Sequence, residues 1–287
     1  LAGAVLAAVL ALGCKGCETP YHPGEAWEGY ERLQRMIGKM RLERAPEGLP
    51  VSNLALAQNF RRIAFGAEEG LLGQEGAGPV LRRWESPVRW RVTSRGARAV
   101  AHREAVHATA RRLAAATGHD IRAAGDGEPA NLAVLFLRPG DYAGVLADLG
   151  DRPLGRWLAE RVDRFGRSGT APCLGLFLQA PGADGREASE IVFALALIRA
   201  GLPTRLMRAC VEEELAQTLG LPNDDPYVRP SVFNDDQEFA LLTHHDEALL
   251  RILYDPRLEA GMTEAEAMAR VPAIVESLDT ARIRGVE

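Results

Sequence analysis

Apolar side chains follow two rhythms along the chain, and the change from one to the other predicts its elements. Val88 to Thr93 reads Val-Arg-Trp-Arg-Val-Thr, the alternation of a half-buried strand. Asn131–Leu137, Cys173–Gln179 and Ile191–Ile198 are short continuous apolar runs, which predict buried strands. Helical content covers Glu25–Arg44, Val51–Phe65 and Arg98–Thr117, the last stopped by Gly118. Asp141–Phe165 is helical with breaks at Gly150 and Pro153. Leu206, Met207, Cys210, Val211, Leu215 and Leu219 recur at helical spacing across Pro203–Leu219, and Gly220 and Pro222 end that helix. Thr243 with Asp246, and Thr263 with Glu266, form capping boxes that open helices at Asp246–Tyr254 and up to Leu278. Gly66–Gly78 and Pro181–Gly185 read as an exposed loop and a turn. Strands alternating with helices predict an α/β (α+β) chain on a mixed sheet. We place the main domain at 79–287, after an N-terminal helical segment at 25–78.

The composition changes this picture little. The 287 residues are 47% hydrophobic and 25% charged, with a net charge of -5, which excludes collagen-like, coiled-coil and disordered chains. Arginine supplies the basic charge, lysine standing only at Lys15 and Lys39. Charge is divided: Arg61–Arg112 carries a balance of +6 and Cys210–Ala260 one of -9. With no lysine clusters and no recognition motif, nucleic acid is excluded as a partner. The asymmetry predicts attraction between the two halves.

Leu1–Gly13 is apolar or small throughout, too short to span a bilayer but suited to the core of a signal peptide. The chain opens on Leu without the positive stretch that precedes such a core, so we expect a start further upstream or at a non-standard codon. Ala-Leu-Gly-Cys14 resembles the lipobox of bacterial lipoproteins, with Ala11 where Leu is usual. The expectation is export to the bacterial cell envelope or periplasm, anchored by lipid on Cys14, with 14–24 as a tether. An uncleaved or plainly secreted form is the alternative. Export permits disulfides. Cys173 and Cys210 form the natural pair, each beside a core segment; the alternative is two buried, unbridged thiols.

Glu213-Glu214-Leu-Ala-Gln217-Thr-Leu-Gly220-Leu-Pro-Asn223 has the frame of the metzincin zinc-peptidase motif, H-E-x-x-H-x-x-G-x-x-H. In that frame two ligands share a helix face, and the glycine turns the chain so that a third returns to the metal. Glu213, Gln217 and Asn223 stand at the ligand positions and Glu214 at that of the general base; all three histidines are replaced. Pro230-Ser231-Val232-Phe233-Asn234 stands where metzincins carry a methionine turn, without the methionine, and Leu242-Thr243-His244-His245-Asp246 through Leu253-Tyr254 resembles the helix that follows. Upstream, the order strand, helix, strand, edge strand, strand, helix is the metzincin order. The resemblance implies a zincin-like twisted sheet with a degenerate active-site helix, the chain leaving that helix at Gly220 and turning again at Ser231, Val232 and Phe233.

A closer resemblance is to a family of bacterial lipoproteins known as domain of unknown function 2927. It rests on Asn59-Phe60, Ile63-Ala64-Phe65, Arg83-Trp84, Cys210 and Glu213-Glu214-Leu215 with Gln217. Leu219–Asp224, Pro230–Asp235, Leu253–Leu258 and Gly261-Met262 continue it. This resemblance implies a zincin-like fold and an exported lipoprotein, and no established activity.

Zinc prefers imidazole and thiolate, so Glu213, Gln217 and Asn223 make a poor zinc set. With Asp224 or Asp225, calcium or another oxygen-preferring metal would suit better. The simpler expectation is no metal and no cofactor, with Gln217 and Asn223 hydrogen-bonding Glu213 to hold the turn. Glu214 is then a structural acceptor, for instance for an arginine of the basic half, rather than a general base. His102 and His107 lie five apart, about 140° around a helix, and are read as surface residues. His244 or His245 could reach the cleft, though capping and solvation explain them equally. Asp235, Asp236 and Glu238 read as a solvated loop. The leading expectation is a pseudo-metallopeptidase whose groove between Cys173–Gln179 and Pro203–Leu219 binds a peptide or envelope protein. The rival is a divergent metal-dependent hydrolase using Glu214, and a third reading is a structural lipoprotein with no groove.

Overall fold

Four of the five strands form where the apolar rhythm predicts them. In the computed structural model, which describes residues 23–66, 80–149, 153–180, 189–234 and 236–278, they are β1 (Val88–Thr93), β3 (Leu132–Leu137), β4 (Cys173–Gln179) and β5 (Ile191–Arg199). The strand missed by the sequence reading is β2 (Ile121–Ala123), whose three residues bury Ile121 alone and show no period. The sheet order is β2-β1-β3-β5-β4. All neighbours are parallel except β4, an edge strand antiparallel to β5.

The continuous apolar runs follow from this topology, because both faces of the inner strands are covered. Leu132, Val134 and Phe136 of β3, with Ala194, Ala196 and Ile198 of β5, point into the larger core. Their neighbours Leu137, Leu195 and Leu197 point into the smaller one. Helices α4 (Tyr142–Leu149) and α5 (Pro153–Ser168) cover the smaller side through Tyr142, Leu158, Val162 and Phe165. The other layer holds α2 (Asn53–Phe65), α3 (Ala99–Thr117), α6 (Thr204–Gln217), α7 (His244–Leu253) and α8 (Glu264–Ser277), behind α1 (Pro23–Met36). Phe60 and Ile63 of α2 lie fully buried in the same core as Leu249 and Leu250 of α7.

Element ends differ from the expected ones for local reasons. The first helix stops at Met36 rather than Arg44, because Gly38 and Met40 adopt positive φ and Arg41 pairs with Phe239 as an isolated bridge. Thr243 is the N-cap of α7, so the helix opens at His244, two residues before Asp246. Gly118 ends α3 at φ 68°, a left-handed stop. The apolar opening stretch, Cys14, Cys17, Gly150, Asp235, the turn at 181–185 and all but the first residue of the 66–78 loop lie outside the described residues.

His102 corrects the expectation that it sits at the surface. It is 1% exposed, stacked on Phe136 at 3.9 Å between ring centroids, with Nδ1 2.8 Å from Ser94 Oγ. Burial pushes its imidazole down to about 4, with Arg98 adding to the effect. The alanine-rich sequence of α3 conceals a core-facing stripe at His102, Val106, Thr109, Ala110 and Leu113. His107 stays exposed, its ring edge-on to Trp90. Attraction between the halves takes the form of ion pairs from Arg62 to Asp225, at 3.1 Å, and from Arg112 to Glu247. Among the described residues no helix is long and apolar enough to cross a membrane.

Candidate functional site

Helical spacing puts Cys210, Glu214 and Gln217 on one flank of α6, and that flank meets the edge strand. A disulfide joins Cys210 to Cys173 of β4, with 5.7 Å between α-carbons. Disulfides persist in oxidising compartments, so the bridge accords with export. Two residues along β4, Gly175 leaves space for the acid next in line. A Cβ there would stand 2.6 Å from Glu214 Oε2 and 3.6 Å from Gln217 Oε1. Glu214 is therefore buried, 5% exposed, with its carboxylate laid against the strand.

The remaining positions of the frame are tied into the loop that follows the helix. Gln217 Nε2 donates to Asp224 Oδ1 at 3.1 Å. Asn223 Nδ2 donates to the Arg62 carbonyl at 3.0 Å, adding a second donor to the one that the Gly66 N–H supplies at the end of α2. Gly66 lies directly beneath the Asn223 amide, where a side chain would collide with it. Gly220 holds φ at +115° and passes so close to the Arg82 carbonyl that no Cβ fits. Glu213 is half-buried, and its charge helps hold the Tyr30 phenol up at about 12, after the larger effect of burial.

Ser231, Val232 and Phe233 form a buried turn organised by Asp246 of α7. Ser231 Oγ donates to Asp246 Oδ1 at 2.5 Å, and Val232 N to Oδ2 at 3.1 Å. Thr243 donates to the same Oδ2 through its backbone N–H at 2.7 Å and its hydroxyl at 3.0 Å. Phe233 N donates to Ser231 Oγ, closing the turn. His245 is buried with Nε2 3.0 Å from Asn59 Nδ2, inside the core rather than in a cleft; His244 is half-buried. Asp236 and Glu238 of the expected solvated loop pair with Lys39, Arg41 and Arg229.

One of the most heavily engaged groups carries no mark in the sequence. Glu212 is 4% exposed and takes a bidentate pair from Arg44, both at 2.7 Å, plus the Leu242 N–H at 2.7 Å. It was passed over because the metzincin frame begins one residue later, and its partners lie 30 and 168 residues away. Asp224 was noted only as a metal option and instead accepts from Gln217. The capping box disclosed the bond of Asp246 to Thr243, but nothing local disclosed those to Ser231 and Val232.

The amide N–H groups of Gln217 and Asn223 are spent on Asp224 and on the Arg62 carbonyl, and the Gln217 oxygen lies beside the Glu214 carboxylate against Gly175. Among the described residues no group of three His, Cys, Asp or Glu side chains is placed to hold a metal ion. What the arrangement does chemically is fix the outer wall of the sheet: the disulfide joins α6 to β4, Gln217 joins α6 to the loop after it, and buried hydrogen bonds to Asp246 join that loop to α7.

No curated protein and no solved structure matches the chain. A family model, described as Protein of unknown function (DUF2927), matches residues 53–273, from the first residue of α2 into α8. The match takes in α6, the disulfide and the turn held by Asp246, and the chain belongs to the DUF2927 family.

Proposed function

We propose that the protein is a non-catalytic, zincin-like binding protein of the bacterial cell envelope, which takes an extended peptide of an envelope partner along the outer edge of β4. The observation that carries this reading is the edge strand itself. Arg199 N donates to the Pro172 carbonyl, which sets the even-numbered residues of β4 in hydrogen-bonded pairs with β5. The alternation then turns the backbone groups of Cys173, Gly175 and Phe177 away from β5, where no described strand pairs with them; Cys173 is half-buried, while Gly175 and Phe177 are buried, so a peptide must displace the side chains that cover them. Such a row is a template for strand addition, which needs no metal. The chain order strand, helix, strand, antiparallel edge strand, strand, helix supports a zincin-like origin, as does the Glu213-to-Asn223 frame on and after α6. The Cys173–Cys210 bridge keeps the strand in place while its outer edge is used.

The test is a screen of the purified protein against a library of extended peptides, with hits mapped by amide hydrogen exchange. A bound peptide slows exchange at Cys173, Gly175 and Phe177 and leaves β2, at the other edge, unchanged. Hits that protect other elements only, or no hits at all, would reject the reading. The rival hydrolase is tested by elemental analysis after equilibration with zinc and calcium. Stoichiometric metal, lost on Glu213→Ala, together with hydrolysis lost on Glu214→Gln, would establish it. Anchoring is tested separately: fatty-acid label on the protein should disappear in Cys14→Ser.

A further inference from the structure

A cavity of about 190 Å³ opens on the flank of α6 turned away from β4, lined by Arg44, Ala105, Ala108, Thr109, Arg112, Arg208 and Glu212. Arg208 and Glu212 lie one helical turn apart, roughly opposite Cys210, Glu214 and Gln217 around the helix. The cavity is therefore separate from the strand edge discussed above. Its floor is α3, where the small side chains of Ala105 and Ala108 leave the space unfilled and Thr109 presents a hydroxyl.

The charges around it are unequally satisfied. Glu212 is fully engaged by Arg44 and the Leu242 N–H. Glu247, behind Arg112, takes Arg112 on one oxygen and Arg251 on the other. Both acids are thus neutralised by arginines already counted. Arg208 is exposed at the mouth and makes no hydrogen bond or ion pair among the described residues. Arg112 Nε is buried with no hydrogen-bond partner. Burial and the neighbouring Arg44 both weigh against the charged form of Arg112, and Glu247 and Glu212 only partly offset them. Three guanidinium groups therefore face a space of molecular size: Arg44 is committed to Glu212, Arg112 is paired with Glu247 but keeps its Nε unmatched, and Arg208 carries no acid. Planar forks of this kind bind carboxylates and phosphates through paired charge-assisted bonds.

We propose that this cavity is a binding site for a small oxyanion group, a carboxylate or phosphate of a ligand, held by Arg208 and Arg112 with the Thr109 hydroxyl beside them. Arg44, occupied by Glu212, shapes the wall and adds to the field.

The test is isothermal titration calorimetry of the purified full chain with inorganic phosphate and, separately, with succinate, chloride holding ionic strength constant. Saturable binding of either anion is expected, and which one binds names the source of the group. Arg208→Ala should weaken it about tenfold, the loss of one charge-assisted hydrogen bond at a partly solvated site. Because Arg208 is exposed and holds no other residue, this variant should melt as the parent does. Arg103→Ala, an exposed arginine on α3 outside the cavity, should bind as the parent. The bound anion should also raise the melting temperature above that in chloride alone. Absence of saturable binding of both anions, or undiminished binding by Arg208→Ala, would overturn the proposal.

Discussion

Glu212 and Asp246 on one side, and Gln217 and Asn223 on the other, are polar residues of the same small region with different standing in the fold. The two carboxylates each collect several donors from distant segments: Arg44 and Leu242 for Glu212, Ser231, Val232 and Thr243 for Asp246. The two amides tie the loop to its own helix and to the end of α2. A buried carboxylate is tolerated only when donors surround it, and removing it strands those donors away from water. An amide with a single tie, buried at Gln217 and half-buried at Asn223, strands fewer groups. The difference teaches that the architecture rests on the two acids, while the two amides tie the end of α6 and the loop after it.

The largest effect should follow from Asp246→Ala. The carboxylate is inaccessible to solvent, and its loss leaves the Ser231 hydroxyl and the Val232 and Thr243 N–H groups without their acceptor. We expect a loss of about 4 kcal/mol, in the range found when one partner of a buried charged network is removed. Urea unfolding followed by circular dichroism measures it. Asp246→Asn, which keeps the shape and one acceptor oxygen, should lose less. Equal losses for Asp246→Ala and Gln217→Ala would dissolve the contrast.

His102 offers a third kind of buried polar group, kept neutral rather than surrounded. Its folded-state value is pushed down to about 4 from an ordinary 6.5. Above 6.5 the imidazole is neutral in both states and its burial costs nothing in protonation. Between 6.5 and 4 the unfolded chain takes up a proton that the folded chain refuses, so stability falls as pH falls. The full loss is about 3 kcal/mol at 1.36 kcal/mol per pH unit. The urea midpoint at pH 4 and at pH 7.5 should therefore differ less in His102→Phe than in the parent. An identical pH dependence in both would show that His102 takes up its proton as readily in the fold as in the unfolded chain.

Gly175→Ala probes the contact between strand and helix. Its methyl would stand where the Glu214 carboxylate now lies, and the overpacking should cost about 2 kcal/mol. The double variant Gly175→Ala/Glu214→Ala should recover part of that cost, because the two sites are coupled through one contact. Additive losses would place Glu214 elsewhere.

How much of this was legible in the sequence depends on range. The strand at Val88–Thr93, the stop at Gly118 and the capping boxes at Thr243 and Thr263 are written in residues one to four apart, and the structure holds all of them. The Cys173–Cys210 pairing could be reached because so few cysteines remained to choose from. By contrast, His102 looked solvated because the alanines around it hide which face of α3 is inward. β2 was too short to carry a period, and its pairing with β1 comes from 33 residues away in register, Val88 against Ile121. Glu212 carries no local mark at all: its burial is set by Arg44 and Leu242, which reach it only once the chain is folded. The metzincin frame drew attention to Glu213 and Glu214 and away from the neighbour with the stronger network.

The smallest effect should belong to the frame's own amides. Asn223→Ala removes one hydrogen bond to the Arg62 carbonyl, and that carbonyl also receives the Gly66 N–H. Gln217→Ala removes the bond to Asp224, a half-buried residue that water can partly serve. Each should cost about 1 kcal/mol, the net worth of a single hydrogen bond whose partner keeps another contact. Because the two side chains tie different segments, α2 in one case and the loop in the other, the double variant should lose close to the sum of the single losses. A metal held between them would behave otherwise: either variant alone would release it, the second would add nothing, and chelator would lower the parent's unfolding midpoint to that of the variants. Urea midpoints of the parent, the two single variants and the double, with and without chelator, distinguish the two patterns. We expect near-additive losses and midpoints indifferent to chelator.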